Sequence, residues 1–249
     1  MTQGRTAELY RMVMPDHLCP YGLKSKHLLE SQGYAVDDHQ LTTREETEAF
    51  MEKHGVETTP QTFIGGARIG GYEDLRAHFG KPLRAEGETT YVPVIALFGM
   101  AAAMAVAGVW AGFGTLATWR LPAWFIAIAM CLLALQKLRD VESFSTMFLN
   151  YDLLARRWVP YGYVYPFAEG IAGVLMIAGV LIWIAAPLAL FIGTVGAVSV
   201  FKAVYVDRRE LKCACMGGSS DVPLGFVSLT ENLMMIAMAL WMLARLAWA

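Results

Sequence analysis

The chain has 249 residues, a formal net charge of −2 and a hydrophobic fraction of 56%. That is too apolar for an ordinary soluble domain, and the lack of a basic tract excludes nucleic acid as a partner. Four cysteines (Cys19, Cys131, Cys213 and Cys215) are too few and too scattered for a disulfide scaffold, which leaves redox chemistry, metal binding or packing as their roles. Charge is unevenly spread. Residues 1–90 are dense in Asp, Glu, Lys and Arg, whereas residues 91–119 contain none. A run of that length crosses a hydrocarbon core of about 30 Å as a helix. The expected organisation is a polar domain over residues 1–80, a linker over 81–90 and a membrane domain over 91–249.

The polar domain reads in chain order as βαβαββα. Residues 9–14 form a first strand. Residues 23–31 form a helix with an apolar stripe through Leu28 and Leu29 and a stop at Gly33. Residues 34–36 are a short strand. Thr42 or Thr43 with Glu45 or Glu46 forms a capping pattern for a helix running to about His54, and Gly55 ends it. Residues 62–64 and 67–69 pair across the Gly65-Gly66 turn. A last helix follows over residues 73–79. An α/β sheet of this order is thioredoxin-like.

Cys19 precedes the first helix, so its sulfur lies at a helix N-terminus. The unpaired N–H groups and the helix dipole favour a thiolate there, and the thiolate is the nucleophile of disulfide exchange. The alternative is an inert buried thiol. Four motifs then stand in one order and spacing: Cys19-Pro20-Tyr21-Gly22, Thr58-Thr59-Pro60-Gln61, Phe63-Ile64-Gly65-Gly66 and Ile69-Gly70-Gly71-Tyr72-Glu73-Asp74-Leu75. Together they resemble a glutaredoxin over residues 8–80. The resemblance implies that Cys19 is the nucleophile, that Pro60 is cis, and that glutathione is the cofactor. Tyr21, the Thr59 backbone, Pro60, Gly71, Glu73 and Asp74 would hold glutathione, with Gln61 beside the site.

Two positions depart from the family pattern. Gly22 stands where a second cysteine is common, so Cys19 must be resolved by glutathione or by a cysteine elsewhere. Asp16 stands where a lysine is usual, and its charge opposes thiolate formation. Lys24 and Lys26 follow on the helix and read as solvated surface.

The linker is short, polar and Pro/Gly-bearing. It holds a partner on the same chain at roughly millimolar effective concentration. Beyond it the hydropathy pattern predicts an all-α bundle of four to five transmembrane helices, read as five: residues 91–117, 121–138, 163–184, 187–205 and 224–245. The third and fourth are separated at Ala185-Ala186-Pro187. With the N-terminus inside, the inner segments carry Lys81, Arg84, Lys137, Arg139, Arg156, Arg157, Lys202, Arg208, Arg209 and Lys212, and the outer ones only Arg120 and Arg245. Residues 1–8 give no signal-peptide pattern. The expected placement is multi-pass in the inner (cytoplasmic) membrane, with the polar domain and the Cys213/Cys215 loop in the cytosol. Residues 143–154 carry an apolar face and are expected as a helix lying in the interface.

Cys213 and Cys215, one residue apart, could form a labile disulfide or grip a soft metal ion. The membrane half is similar to the MauE/DoxX-like redox-associated membrane proteins. The residues carrying the likeness are Lys137-Leu138-Arg139-Asp140 with Phe144, Tyr151 with Leu153-Leu154, Pro166 with Glu169-Gly170, and Cys213-x-Cys215-x-Gly217. That resemblance implies thiol–disulfide chemistry with Cys213 and Cys215 as the redox pair.

Ionisable residues within or near spans need a reason. A buried polar cluster is expected under the Cys213/Cys215 loop, with Glu169 and Glu231 balanced by Lys137, Arg139 or Lys202. It serves either proton handling and thiolate activation or helix pairing. The functional expectation is a glutathione-linked oxidoreductase relaying electrons between Cys19 and the Cys213/Cys215 pair, acting on a disulfide-bearing protein or small thiol. Outward electron transfer would need a quinone or another partner, no metal is expected, and a homo-oligomer is compatible with the sequence. The alternative is a soft-metal or thiol-compound transporter using Cys131, Cys213 and Cys215.

Overall fold

A computed structural model of the chain describes residues 5–15, 17–83, 88–214 and 222–248. Asp16, the linker segment 84–87 and Cys215 through Asp221 lie outside the described residues. The chain divides into two compact units, Met1–Glu86 and Gly87–Ala249.

The first unit is a mixed sheet flanked by helices: β1 (Thr6–Met14), β2 (His17–Leu18), α1 (Pro20–Ser31), β3 (Ala35–Leu41), α2 (Arg44–His54), β4 (Gln61–Ile64), β5 (Ala67–Gly70) and α3 (Tyr72–His78). β1 is central. It runs parallel to β3 and antiparallel to β4, which pairs antiparallel with β5. The two-residue β2 folds back on the end of β1 at Val13 and Met14. Side chains alternate across a strand, and β1 uses both faces. Ala7 and Leu9 pack with Leu29 of α1 and Leu75 of α3. Tyr10, facing the other way, stacks on Phe50 of α2 and on His39. Thr43 and Glu46 form the expected capping box, and Gly55 closes α2 in the left-handed conformation. The periodicity places the start of the first helix at residue 23. The helix begins at Pro20, whose fixed φ suits the first turn and whose missing N–H costs nothing there.

The second unit holds α4 (Val92–Phe113), α5 (Arg120–Leu138), α6 (Val141–Phe148), α7 (Pro160–Ala178), α8 (Ile182–Phe201, continued by a π-turn over Lys202–Val206) and α9 (Phe226–Trp248). Among the described residues, α4, α5, α8 with its π-turn and α9 are long and apolar enough to cross a membrane. α7 is the fifth long helix, but its tyrosines, Pro166 and Glu169 keep it below that apolarity. Its small residues let α5 approach closely: a Cβ at Gly173 would lie 2.7 Å from Cys131 Sγ, and one at Gly170 would lie 3.3 Å from Ala134 Cβ. Gly193 and Gly196 do the same for α8 against α9.

Two expectations are corrected. The break before α8 falls at Gly179–Leu181, where Gly179 and Leu181 take positive φ, and Pro187 lies inside α8. The apolar face expected over residues 143–154 packs against the rest of the bundle. Its first part lies on α6, and Phe144, Phe148 and the following Tyr151 are buried in the bundle core against Tyr161 and Tyr165. That face is already covered by protein, so it is not available to lipid.

Candidate functional site

Cys19 is the N-cap residue of α1, with extended backbone and no side chain capping the helix. The unpaired N–H groups of the first turn therefore remain beside its sulfur. It is a free thiol with 6% exposure. Its own N–H donates to the Met12 carbonyl (3.3 Å), which ties the helix start to β1. The Thr59–Pro60 peptide is cis. A Cβ on Gly71 would lie 3.7 Å from the Pro60 carbonyl oxygen, so the two motifs are neighbours. Gly71 N–H donates to Asp74 Oδ2 (3.0 Å). One oxygen of Asp74 is thus engaged in closing the α3 start, while Glu73 is exposed. Gly70, at φ +121, has the Asp74 carboxylate where a side chain would be, so only glycine fits. The Gln61 amide donates to the Thr58 carbonyl (2.9 Å). Tyr21 is half exposed and 6.1 Å from the Tyr72 ring. Lys24 is exposed, as expected of a solvated helix surface, and its Nζ lies 5.5 and 5.8 Å from those two ring centroids.

Arg11 joins the site without belonging to any of the four motifs. It continues the inward alternation of Ala7 and Leu9 on β1 and is 95% buried (5% exposed). Its stem runs beneath the first turn of α1: a Cβ on Gly22 would lie 2.7 Å from Arg11 Cβ and 3.0 Å from Cδ. The absent second cysteine thus has a steric counterpart, because Arg11 occupies its place. The guanidinium grips Asp38 through two bonds (Nε–Oδ1 2.7 Å, Nη2–Oδ2 2.8 Å), and Lys26 Nζ adds a third (2.9 Å). The Arg11 bonds, then those of Lys26, hold the Asp38 carboxyl at about 2, well below the usual carboxylate range. The signal available in the sequence was a strand position of core-facing parity carrying arginine.

The second unit holds Cys213 beside an antiparallel bridge between Lys212 and Pro223. Its N–H donates to the Val222 carbonyl (2.7 Å), and Leu224 N–H donates to the Leu211 carbonyl (2.7 Å). Cys213 is fully buried and disulfide-bonded, and Ser228 Oγ of α9 lies 3.0 Å from its sulfur. A disulfide sulfur has no proton, so the hydroxyl is the donor. Cys215, the other half of the expected pair, lies outside the described residues. One turn beyond Ser228 on α9, Glu231 meets Lys137 of α5 (3.2 Å), and Lys137 also meets Glu169 of α7 (2.6 and 2.8 Å). All three are buried. Lys137 also lies 5.2 Å from the Tyr165 ring.

Two expected members do not join the cluster. Lys202, at the end of α8, pairs instead with Asp207 five residues on (2.7 Å), at an exposed site. Arg139, the C-cap of α5, is also exposed. Cys131 packs against α7, its thiol donating weakly to the Gly170 carbonyl (3.8 Å). Among the described residues there is no group of three His, Cys, Asp or Glu side chains arranged to hold a metal.

Comparison with known proteins finds two families in succession. The glutaredoxin family matches residues 8–69, and the family described as methylamine utilisation protein MauE matches residues 113–245. "Glutaredoxin 1" of Rickettsia typhi is 40% identical over 60 residues, which are 23% of this chain and 58% of that protein. "Glutaredoxin" of Pseudomonas aeruginosa is 35% identical over 60 residues, 24% of this chain and 71% of that protein. "Hybrid peroxiredoxin hyPrx5" of Haemophilus influenzae is 36% identical over 61 residues, 24% of this chain and 25% of that protein. The chain thus spans 58% of the Rickettsia typhi relative's length. No solved structure matches the chain.

Proposed function

The chain belongs to the MauE family and carries a glutaredoxin domain at its N-terminus, and from that premise we propose that it is a membrane-bound, glutathione-linked thiol–disulfide oxidoreductase. Cys19 is the nucleophile, and it exchanges electrons with a disulfide formed by Cys213 and Cys215. The observation that carries the reading is Cys19 at the uncapped start of α1, with a free thiol on one side and Arg11 filling the place of a resolving cysteine. A site so built can open a disulfide but cannot release itself.

The exchange balances as follows. The Cys19 thiolate attacks the Cys215 sulfur, the Cys213–Cys215 bond breaks, and Cys213 leaves with the electron pair. Glutathione thiolate then attacks Cys19 and frees Cys215. A second glutathione attacks the Cys19–glutathione disulfide and restores Cys19. Two glutathione molecules become one glutathione disulfide, and one disulfide becomes two thiols. The reverse sequence oxidises the pair, and the surrounding redox poise sets the direction.

The residues at the site fit glutathione. Gly71 sits beside the Pro60 carbonyl with no side chain in the way, and Glu73 stands exposed next to it for the γ-glutamyl amine. Lys24 and Arg76 lie over the Tyr21 and Tyr72 rings and offer positive charge to a carboxylate. The proposed setting is the cytoplasmic membrane, with Cys19 and the Cys213 loop facing the cytosol. None of the matched families points to a quinone.

The test is thiol trapping by mass spectrometry on the full chain carrying Cys131→Ser, exposed to glutathione and glutathione disulfide. The expected product is a Cys19–Cys215 link, together with a Cys213 disulfide that glutathione reduces only while Cys19 is intact. Equal reduction in a Cys19→Ser chain overturns the relay.

A further inference from the structure

The Cys213 sulfur is fully buried, so an incoming thiol cannot reach it in line. Its disulfide partner must be the sulfur attacked, and Cys213 must be the leaving group. A thiolate released into a buried, apolar setting is costly unless a proton or a donor meets it at once. Ser228 Oγ stands 3.0 Å away. A hydroxyl can hand over its proton only if something returns one.

The neighbouring cluster has the composition to do so. Glu169 and Glu231 face a single ammonium, Lys137, and all three are buried. With both carboxyls ionised the group carries a net negative charge with no further cation among the described residues that line it. One proton on a carboxyl brings it to neutrality, and that proton is exchangeable cargo. Ser228 and Glu231 are three residues apart and share a face of α9. Both line a cavity of about 20 Å³ together with Lys137, Tyr151, Tyr165 and Asn232. That volume suits about one water molecule. Asn232 is 6% exposed, and its Oδ1 has no partner among the described residues, leaving an acceptor at the cavity wall. The titratable groups facing this space are Lys137 from α5, Tyr165 and Glu169 from α7, Tyr151 after α6, and Glu231 from α9. α8 contributes only Gly196 and Val200. Tyr151 also meets the Ala214 backbone, next to Cys213.

We propose that Ser228, supplied through this cavity by the Glu231–Lys137–Glu169 cluster, is the proton donor to the Cys213 sulfur when its disulfide is reduced. The inference rests on Cys213 being a working redox cysteine, as proposed above. In the step, a thiolate such as that of Cys19 bonds to the partner sulfur and the bond to Cys213 breaks. The Cys213 thiolate takes the Ser228 proton. Ser228 recovers a proton from the protonated carboxyl, and the cluster later regains one from the aqueous side. The attacking thiol is the reductant, and its sulfur ends in the mixed disulfide.

The test uses the full chain in nanodiscs with the Cys213 disulfide formed. Appearance of the Cys213 thiol is followed by rapid acid quench, alkylation and mass spectrometry, between pH 5.5 and 8.5, in H2O and D2O, with glutathione and separately with dithiothreitol. Ser228→Ala is expected to slow release at least about tenfold, within the range general acids supply, and Ser228→Thr to restore it. Glu231→Gln is expected to flatten the pH dependence and remove the solvent isotope effect. Ser228→Ala leaves the ion cluster untouched, so the outcome does not depend on how well Glu231→Gln folds. If Ser228→Ala releases Cys213 as fast as the parent chain at every pH, the inference is overturned. If the parent disulfide resists glutathione and yields to dithiothreitol, the glutathione reading fails instead, and the Ser228 comparison is decided with dithiothreitol.

Discussion

Each unit of the chain holds one triad of charges, and the two are of opposite composition. In the first, two cations share one carboxylate: Arg11 and Lys26 on Asp38. In the second, two carboxyls share one cation: Glu169 and Glu231 on Lys137. Solvent access separates them. Lys26 is 35% exposed, so water screens the surplus charge of the first triad. The second triad is closed off, with Lys137 at 3% and Glu169 at 0%. A surplus charge there must be neutralised by a proton or left at high cost. One triad is therefore fitted to be a fixed scaffold beneath α1 and the other to exchange protons.

The largest expected effect comes from removing the centre of the closed triad. Lys137→Met leaves two carboxyls buried without a cation, and breaking a buried pair this way costs about 3–5 kcal/mol. Thermal unfolding of the full chain in detergent should show a fall of many degrees, and an unchanged midpoint would place the carboxyls in contact with water and end the contrast.

Acid probes the open triad. Asp38 is held at about 2 against an ordinary value of 3.8. A lowered carboxyl stabilises the fold fully above 3.8, and that stability fades as pH falls through about 2. The difference corresponds to about 2 kcal/mol. The protection of β1 and β3 amides, taken relative to the intrinsic exchange rate at each pH, should fall between pH 4 and 2, and Asp38→Asn should abolish that pH-dependent part. A fall of the same size in Asp38→Asn would assign it elsewhere.

Gly22→Ala places a Cβ 2.7 Å from Arg11 Cβ and should cost about 1–3 kcal/mol by overpacking. Replacing Arg11 with glycine in the same chain, which removes the Cβ that lies nearest, should recover part of that loss, since contacting residues are not additive. Additive losses would mean that Arg11 does not fill the place beneath α1. The smallest expected change is Thr43→Ala, which removes a capping hydroxyl bonded to Glu46 N–H (3.1 Å) and should cost about 1 kcal/mol, read as faster exchange confined to the first turn of α2.

Much of the first unit was legible along the chain because its signals are local. Thr43 and Glu46 cap, Gly55 stops a helix, and Gly65-Gly66 turns a hairpin. Each depends on backbone geometry within a few residues. Arg11 was not legible, because its burial depends on α1 lying over β1 and on Asp38 arriving from β3, 27 residues away. In the second unit, apolar runs marked the long helices, but not where α7 ends, since Gly179 competed with a proline that α8 could absorb in its second turn. Lys137, Glu169 and Glu231 were legible as ionisable residues inside apolar runs. Which cation they would choose was not, because Arg139 and Lys202 stand near the same helix ends and only the rotation of each helix about its axis turns Lys137 inward.

By itself, then, the sequence determined a polar thioredoxin-like domain with Cys19 at a helix start, a bundle of long apolar helices, and a set of buried ionisable residues. These follow from hydrophobic periodicity and turn chemistry, which act over short separations. Only the tertiary structure decided that Arg11 underlies Gly22, that α6 is spent on the core, and that Ser228 and the Lys137 triad stand beneath Cys213. Those choices depend on which helix and strand faces meet, and side-chain packing between distant segments, rather than local pattern, selects them.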